Sequence, residues 1–434
     1  MPRESKDMGL GLDFGTTNSS IALAGPAGHV EVAKFPAAIG QTESFRSLLY
    51  LERHREAGRT TIKSWSGPEG IERYLHSDEK GRLIQSLKSF LASRSLQSTE
   101  IFGRPFPLET LISRILKDIR AVAEERFGAD LPPVVVGRPV RFVSSESDED
   151  DEYALLRLRE SLKQAGFSQI RFEYEPVGAA YHYESTLQND ELIVIGDFGG
   201  GTSDFSLLRV GPSFSGGSSL QRVIGNQGLG LAGDAFDAKL IRHLVSPALG
   251  AGSELRSGGK LLPVPNWVYL KLERWHHLSF LKSQDTLNML MSVARQALEP
   301  DKINALLYLV RHDLGYQLHR AIQKVKANLS HHETATFRFD DGDVMIRADV
   351  TRPQFEEWIS EELSAIEDSL SALLAKTGTK PSEIDRVFLT GGSSFVPAVR
   401  RIFEGRFGPE KIRTGDEFTS VARGLALRSL HGET

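Results

Sequence analysis

Two stretches of this chain carry the same alternation of apolar and polar positions. Residues 10–23 are apolar on both sides of a polar break, Asp13-Phe14-Gly15-Thr16-Thr17-Asn18-Ser19. The run Glu191-Leu192-Ile193-Val194-Ile195 leads into a second break, Gly196-Asp197-Phe198-Gly199-Gly200-Gly201-Thr202-Ser203-Asp204, with Asp197 standing 184 residues after Asp13. Apolar runs on either side of a glycine-bearing turn predict a β-hairpin. Each copy puts an aspartate at the end of a strand, then glycine, then hydroxyl side chains. Two ordinary hairpin turns would have no reason to share that context, so the pattern predicts a duplicated fold that grips one polyphosphate from both sides.

The remaining chain alternates strands and helices around these hairpins. Residues 35–107 are more polar, rich in Ser and Arg, and read as a peripheral subdomain. Leu111, Ile115, Ile119 and Val122 recur at helical spacing within 108–127. Residues 133–140 read as a buried strand closed by a Gly/Pro turn. The acidic run 146–152 reads as a solvated helix start, because carboxylates suit a helix N-terminus, and an amphipathic helix continues over 153–165. Residues 211–219 read as a hairpin loop, 228–244 as a glycine turn entering a helix, and 352–376 as an amphipathic helix. Residues 266–329 read as mostly helical, with Trp267 and Trp275 as core anchors. Val387-Phe388-Leu389-Thr390-Gly391-Gly392-Ser393 is a strand running into a glycine turn, with a helix following from Val396. This order predicts an α/β architecture.

Composition narrows the chemistry. At 434 residues, 40% hydrophobic and 25% charged, the chain can bury large cores across two or three domains. A net charge of −5 argues against general binding to nucleic acid or anionic membrane. With no cysteine, disulfides, thiol catalysis and Cys-based metal sites are excluded. Residues 1–9 are charged, not apolar, and no uncharged run reaches membrane-spanning length, so a cytoplasmic location without nucleic-acid or membrane partners is expected.

Phosphoryl chemistry needs backbone N–H groups around the phosphate, a cation held by carboxylates and a fixed positive side chain. Asp13 and Asp197 are placed to hold magnesium, which keeps several of its waters. Gly15, Thr16, Gly199, Gly200, Gly201 and Thr202 let N–H groups approach phosphate oxygens, the glycines sparing a side chain that would block them. Other phosphate motifs fail: there is no Gly-x-x-x-x-Gly-Lys-Ser/Thr, and no His-Arg-Asp loop accompanies the two Asp-Phe-Gly triplets. Gly228-Leu229-Gly230-Leu231-Ala232-Gly233 matches the dinucleotide fingerprint in wording, but no acidic residue closes a following strand. It reads as part of the same nucleotide cradle or as a tight strand-to-helix turn.

The chain resembles the ATPase domain of the 70-kDa heat-shock (DnaK-type) chaperones. Residues 13–19 and 197–204 are similar to that family's two phosphate loops. Glu175-Pro176-Val177-Gly178-Ala179-Ala180 resembles its first connecting segment, residues 389–393 its adenosine strand-turn, and residues 416–424 its second connecting helix. Thr351-Arg352 with Phe355-Glu356-Glu357 resembles the helix entry before the adenosine strand. The wording around Ser89-Phe90-Leu91 and Tyr174-Glu175-Pro176 points to the ATPase-domain-only, YegD-like branch.

The resemblance implies an actin-like (RNase H-like), duplicated two-lobe fold with a central nucleotide cleft, and cofactors ATP or ADP with Mg2+. It gives lobe I as 9–192, with a peripheral subdomain over about 35–107, and lobe II as 193–416, enlarged over about 234–335. Residues 417–434 form a C-terminal helix returning to lobe I. Lys88, by spacing alone a surface lysine, becomes the catalytic lysine. Glu175, otherwise a helix N-terminal acid, orients the attacking water. Asp197 and Thr202 complete the catalytic set, while Asp13, Asp197 and Asp204 hold the metal mainly through waters. Pro139 with Arg138 resembles the family's strand-end proline switch. Thr17, Asn18, Gly230, Gly233, Gly391, Gly392 and Ser393 join the nucleotide contacts.

At the adenosine end Lys326 and Ser330 are retained, and Gln323 replaces the family's ribose-binding Glu. Phe395 stands where the family has an Arg that stacks on adenine, and Ala327 stands at the other stacking position, so Phe395 is expected to form one side of that pocket. The family's interdomain linker and peptide-binding domain have no counterpart before Thr434. The expected activity is slow ATP hydrolysis used as a conformational switch, with an unknown protein client or co-chaperone as partner. The alternatives are a nucleotide-gated scaffold with little hydrolysis and a small-molecule kinase of the same fold. Lys88 argues against the kinase, because sugar kinases of this fold place an Asp base near the transferred phosphate.

Overall fold

The structure, a computed structural model, describes residues 8–36, 40–56, 59–77, 81–184, 186–214, 222–274, 281–414 and 420–430. The chain divides into two compact units, one of Met1–Gly230, Ser369–Gly392 and Phe403–Thr434, the other of Leu231–Asp368 and Ser393–Ile402. The boundary at Gly230 does not follow the 192/193 division expected from the duplication, which partitions the chain by repeat, whereas compactness places both repeated sheets in the first unit.

The first unit contains the same five-strand order twice. One sheet joins β1 (Gly9–Phe14), β2 (Asn18–Ala24), β3 (Val30–Val32), β4 (Val134–Arg138) and β5 (Ile170–Tyr174) in the order β5-β4-β1-β2-β3, with Phe45–Arg46 also pairing β2. The other joins β6 (Glu191–Phe198), β7 (Ser203–Val210), β8 (Val223–Leu229), β9 (Arg386–Thr390) and β10 (Ile412–Thr414) in the order β10-β9-β6-β7-β8. In each, the central strand pairs in parallel on one side and forms a hairpin on the other. The parallel pairs need crossovers, and helices supply them: α1 (Leu108–Phe127) precedes β4 and α2 (Asp148–Gln164) links β4 to β5. α3 (Glu175–Glu184) starts directly where β5 ends.

The wording Gly-Leu-Gly-Leu-Asp in β1 reads out through the strand period of two. Leu10 and Leu12 point into a core shared with Ile112, Ile115 and Leu158, and each is fully buried. A buried leucine of this kind contributes about 2 kcal/mol. Gly9 and Gly11 face the other way, where α4 (Ser420–Leu430) lies so close that a Cβ at Gly11 would strike the Ala422 carbonyl. The peripheral part of this unit is a three-stranded sheet, Leu48–Glu56, Arg59–Ser66 and Arg82–Gln85, with the helix Gly67–His76.

The second unit is largely helical: Gly233–Leu240, Trp267–Leu272, Gln284–Gln296, Pro300–Arg311 and Gly315–His331 precede the hairpin Thr334–Asp341/Val344–Thr351. Several expectations change. Trp267 is 43% exposed, not a core anchor, because Val268, Tyr269 and Leu272 take the inward face of its short helix. Trp275, residues 215–221 of the expected loop and residues 415–419 of the expected second connecting segment lie outside the described residues. The helix expected over 352–376 is two, Arg352–Trp358 and Ser360–Thr377, and Gly228 belongs to β8, not to a turn. The hairpin Glu254–Ser257/Lys260–Pro263 interrupts the helical region, turning at Gly258 and Gly259, both with positive φ. Among the described residues no helix is long and apolar enough to cross a membrane.

His319 lies in the core of the second unit, 4% exposed, with Nε2 bonded to the Leu272 carbonyl at 3.1 Å. Burial pushes its pKa down from 6.5 to about 4. The fold therefore binds fewer protons than the unfolded chain in that window, and stability falls as pH drops from about 6.5 towards 4. The loss amounts to about 3 kcal/mol. Urea unfolding followed by circular dichroism at pH 7, 5.5 and 4.5 is expected to show this slope, and His319→Gln, whose amide can still reach the carbonyl, to flatten it. An unchanged slope in that variant removes His319 as its source.

Candidate functional site

The two matched hairpins share one register. In the first, Phe14 pairs Ser19 and Asp13 pairs Ser20. In the second, Phe198 pairs Ser203 and Asp197 pairs Asp204. The turns between them carry Gly15, Thr16 and Thr17 in one case and Gly199, Gly200, Gly201 and Thr202 in the other. The second closes with Gly199 N donating to the Thr202 carbonyl at 2.8 Å. In the first, the Thr17 carbonyl accepts from Ser47 N at 2.9 Å, and Asn18 opens β2 opposite Arg46. The duplication thus puts one aspartate at the same place in each turn, and the second turn adds Asp204 directly across the ladder.

Lys88 sits on a short turn, Leu87–Phe90, and is 8% exposed. Its Nζ donates to Glu175 Oε1 at 2.6 Å, joining the turn to the first residue of α3. Burial, the largest influence on Lys88, opposes its charge. Glu175, Asp13 and Asp197 outweigh it, and its pKa is held above the ordinary value. The carboxylates are raised as well, which for them disfavours the charged form. Burial, with Glu175 and Asp197 adding to it against the pull of Lys88, pushes Asp13 up to about 8. Burial with Asp197 and Glu175 pushes Asp204 up to about 7, against a hydrogen bond from Thr202. Asp197 is also raised by burial, moderated by Thr390 and Lys88.

Thr390 was not singled out from the sequence. Its Oγ1 donates to Asp197 Oδ1 at 2.8 Å, because β9 runs parallel to β6 with Thr390 beside Asp197. The signal was present: a hydroxyl residue ends an otherwise apolar strand just before Gly391-Gly392. Gly391 then takes φ +81°, and a Cβ there would meet the Phe198 carbonyl, so only glycine suits the turn. Glu175, Asp197, Asp204 and Thr390, with Pro139 and Val140, line a cavity of about 30 Å³. That is room for one or two ordered waters.

Four carboxylates facing one ammonium leave an excess of negative charge that a divalent cation would relieve. Among the described residues, no group of three Asp, Glu or His is arranged to hold a metal directly. The donor set fits a magnesium ion that keeps its waters and bonds to the carboxylates through them.

The other residues expected at the site divide between the units. Gly230, Gly391 and Gly392 belong to the first; Gly233, Gln323, Lys326, Ser330, Ser393 and Phe395 belong to the second. Lys326 Nζ lies 2.7 Å from Asp237 Oδ1 and donates to the Gly233 carbonyl at 3.0 Å, tying the glycine turn to the helix Gly315–His331. Ser330 Oγ donates back to the Lys326 carbonyl at 3.1 Å, Gln323 is partly buried, and Ser393 is buried. Phe395 is 45% exposed, its ring 6.5 Å from that of His331. Asp237 and His331 were not anticipated.

A sequence model of the Hsp70 protein family matches residues 84–251 and 311–431. Among curated relatives, the chain is 24% identical over 425 residues to the chaperone protein DnaK of Thermosipho melanesiensis and to that of Thermosipho africanus, covering 98% of this chain and 59% of each relative. It is 23% identical over 444 residues to the chaperone protein DnaK of Thermotoga maritima, covering 98% of this chain and 60% of the relative. The chain thus spans about three fifths of the length of the curated relatives it matches.

The Thr390 hydroxyl is expected to matter through Asp197. Thr390→Val, nearly the same shape, leaves a carboxylate oxygen without its donor and is expected to lower unfolding free energy by about 1–2 kcal/mol. Thr390→Ser restores the donor and most of the stability. Equal stability of the Val and Ser variants in urea titrations contradicts this.

Proposed function

The chain belongs to the Hsp70 protein family, and on that footing we propose that it binds Mg-ATP and hydrolyses it slowly, using the change of nucleotide as a conformational switch. The observation that carries this reading is the ion pair of buried Lys88 with partly buried Glu175, 2.6 Å apart and coupled to the aspartates of the two matched turns. The backbone amides of residues 15–18 and 200–202 would receive the phosphate oxygens, the Gly199 amide being used to close its own turn. Lys88, kept charged, would stabilise negative charge on the γ-phosphate. Glu175 would accept a hydrogen bond from the attacking water, and Thr202 would donate to the γ-phosphate. Asp13, Asp197 and Asp204 would hold magnesium through waters, supplying charge neutralisation at the phosphates.

The proposal assigns the nucleoside to Gly233, Gln323, Lys326, Ser330, Ser393 and Phe395, with the base stacked on Phe395. The chaperone names of the relatives extend the proposal to a protein client or co-chaperone. A nucleotide-gated scaffold with little turnover is the second reading, favoured by the closed Lys88–Glu175 pair, which already satisfies both charges.

Phosphate release from Mg-ATP separates these readings. Lys88→Ala is expected to lower the rate by about 10²-fold or more, the loss typical of a removed transition-state donor. Equal background rates in both proteins, with ATP still bound tightly in calorimetry, select the scaffold. Phe395→Ala is expected to weaken ATP binding by about 1–3 kcal/mol, the range for a lost base–aromatic stack. Unchanged affinity takes Phe395 out of the nucleoside site.

A further inference from the structure

Glu175 holds the tip of Lys88, and a different residue holds its base. The strap of residues 86–96 enters through Ser86, which has φ +58°, makes the turn Leu87–Phe90 and continues without regular structure to Leu96. Within the turn the Lys88 and Phe90 carbonyls take the N–H groups of Leu91 and Ser93, and the carbonyls buried beside α2 need further donors. Arg157 supplies them. It projects from α2, 4% exposed, and its Nη1 donates to the carbonyls of Phe90 and Leu91 at 3.3 Å and of Ser93 at 3.1 Å. Its Nη2 donates to the Leu96 carbonyl at 3.1 Å, and its Nε donates to Glu109 on α1. One guanidinium therefore closes four carbonyls of a single short segment, using its fixed fork of donors.

The connection to Lys88 is one hydrogen bond long. Leu91, whose carbonyl Arg157 holds, donates its own N–H to the Lys88 carbonyl at 3.2 Å. A second tie runs beside the first: Arg94 Nε donates to Asp150 of α2 at 3.1 Å. Tyr153 lies under both guanidiniums, with centroids 4.9 Å from Arg94 and 5.3 Å from Arg157. A buried charge is costly unless paired and bonded, and apolar side chains could have packed α1 on α2. The fork in this place aligns the strap, which an apolar residue could not do.

We propose that Arg157 is a positioning residue for hydrolysis, fixing the strap so that the Lys88 ammonium is delivered to the phosphate site. The proposal rests on the reading of Lys88 given under Proposed function. Displacing a reacting group by about 1 Å costs on the order of 100-fold in rate, so a loosened strap is felt at once.

The test is a double-mutant cycle read by single-turnover phosphate release, ATP affinity and amide hydrogen exchange. Arg157→Lys keeps the charge and loses the fork. It is expected to slow release by about tenfold or more, to leave ATP affinity within about threefold, and to speed exchange across residues 89–96. In a Lys88→Ala background it is expected to cause no further loss, because the two act through the same ammonium. An additional loss of similar size in that background, or an unchanged rate in the single variant, overturns the proposal. Should Arg157→Lys fail to fold, Arg157→Leu with Glu109→Leu removes both buried charges and tests the same cycle. If the wild type itself releases no phosphate, the ATPase reading fails, and exchange alone decides: unchanged exchange at residues 89–96 overturns the hold by Arg157.

Discussion

Four carboxylates gathered around one buried ammonium set the terms for the first unit. Asp13, Asp197 and Asp204 are all raised by burial and by Glu175, and Lys88 is kept charged by Glu175, Asp13 and Asp197. Such a cluster is unfavourable in isolation, because each ion loses hydration that only partners can replace. It persists because stiff elements hold each member: strand ends for the aspartates, a helix start for Glu175, a clamped turn for Lys88. The charge imbalance that opposes folding is also what a cation would relieve.

The duplicated sheet explains how the cluster can be assembled. A strand that pairs in parallel on one side and turns back as a hairpin on the other exposes its last residue and the turn amides at one edge. Two such strands provide two turns with the same offset between aspartate and turn. The second copy is richer, because Asp204 lies across from Asp197 where the first copy has Ser20, and because the neighbouring parallel strand brings Thr390 beside Asp197. The glycines of β1 let α4 lie directly on the first sheet, so the end of the chain closes over its beginning.

Much of this was legible from the order of residues alone. The hairpins at Asp13 and Asp197, the helix over 108–127 and the strand before Gly137 all carry local periodicity, and the structure has them at those places. The hairpin at Gly258-Gly259 was also readable, from two adjacent glycines flanked by short strands. It was hidden by the helical periodicity on either side. Trp267 misled because size and apolarity favour burial on average, while its actual exposure depends on which face of a six-residue helix meets the core.

The sequence by itself determined that this chain folds as a duplicated α/β protein with two aspartate-bearing glycine turns, because those features are written in local spacing and in repetition. Only the tertiary structure decided which side chains answer them. Lys88 and Glu175 are 87 positions apart, Asp197 and Thr390 are 193 apart, and Arg157 reaches carbonyls more than sixty positions back. No local period connects such pairs. They meet because strand register and helix packing bring remote segments together.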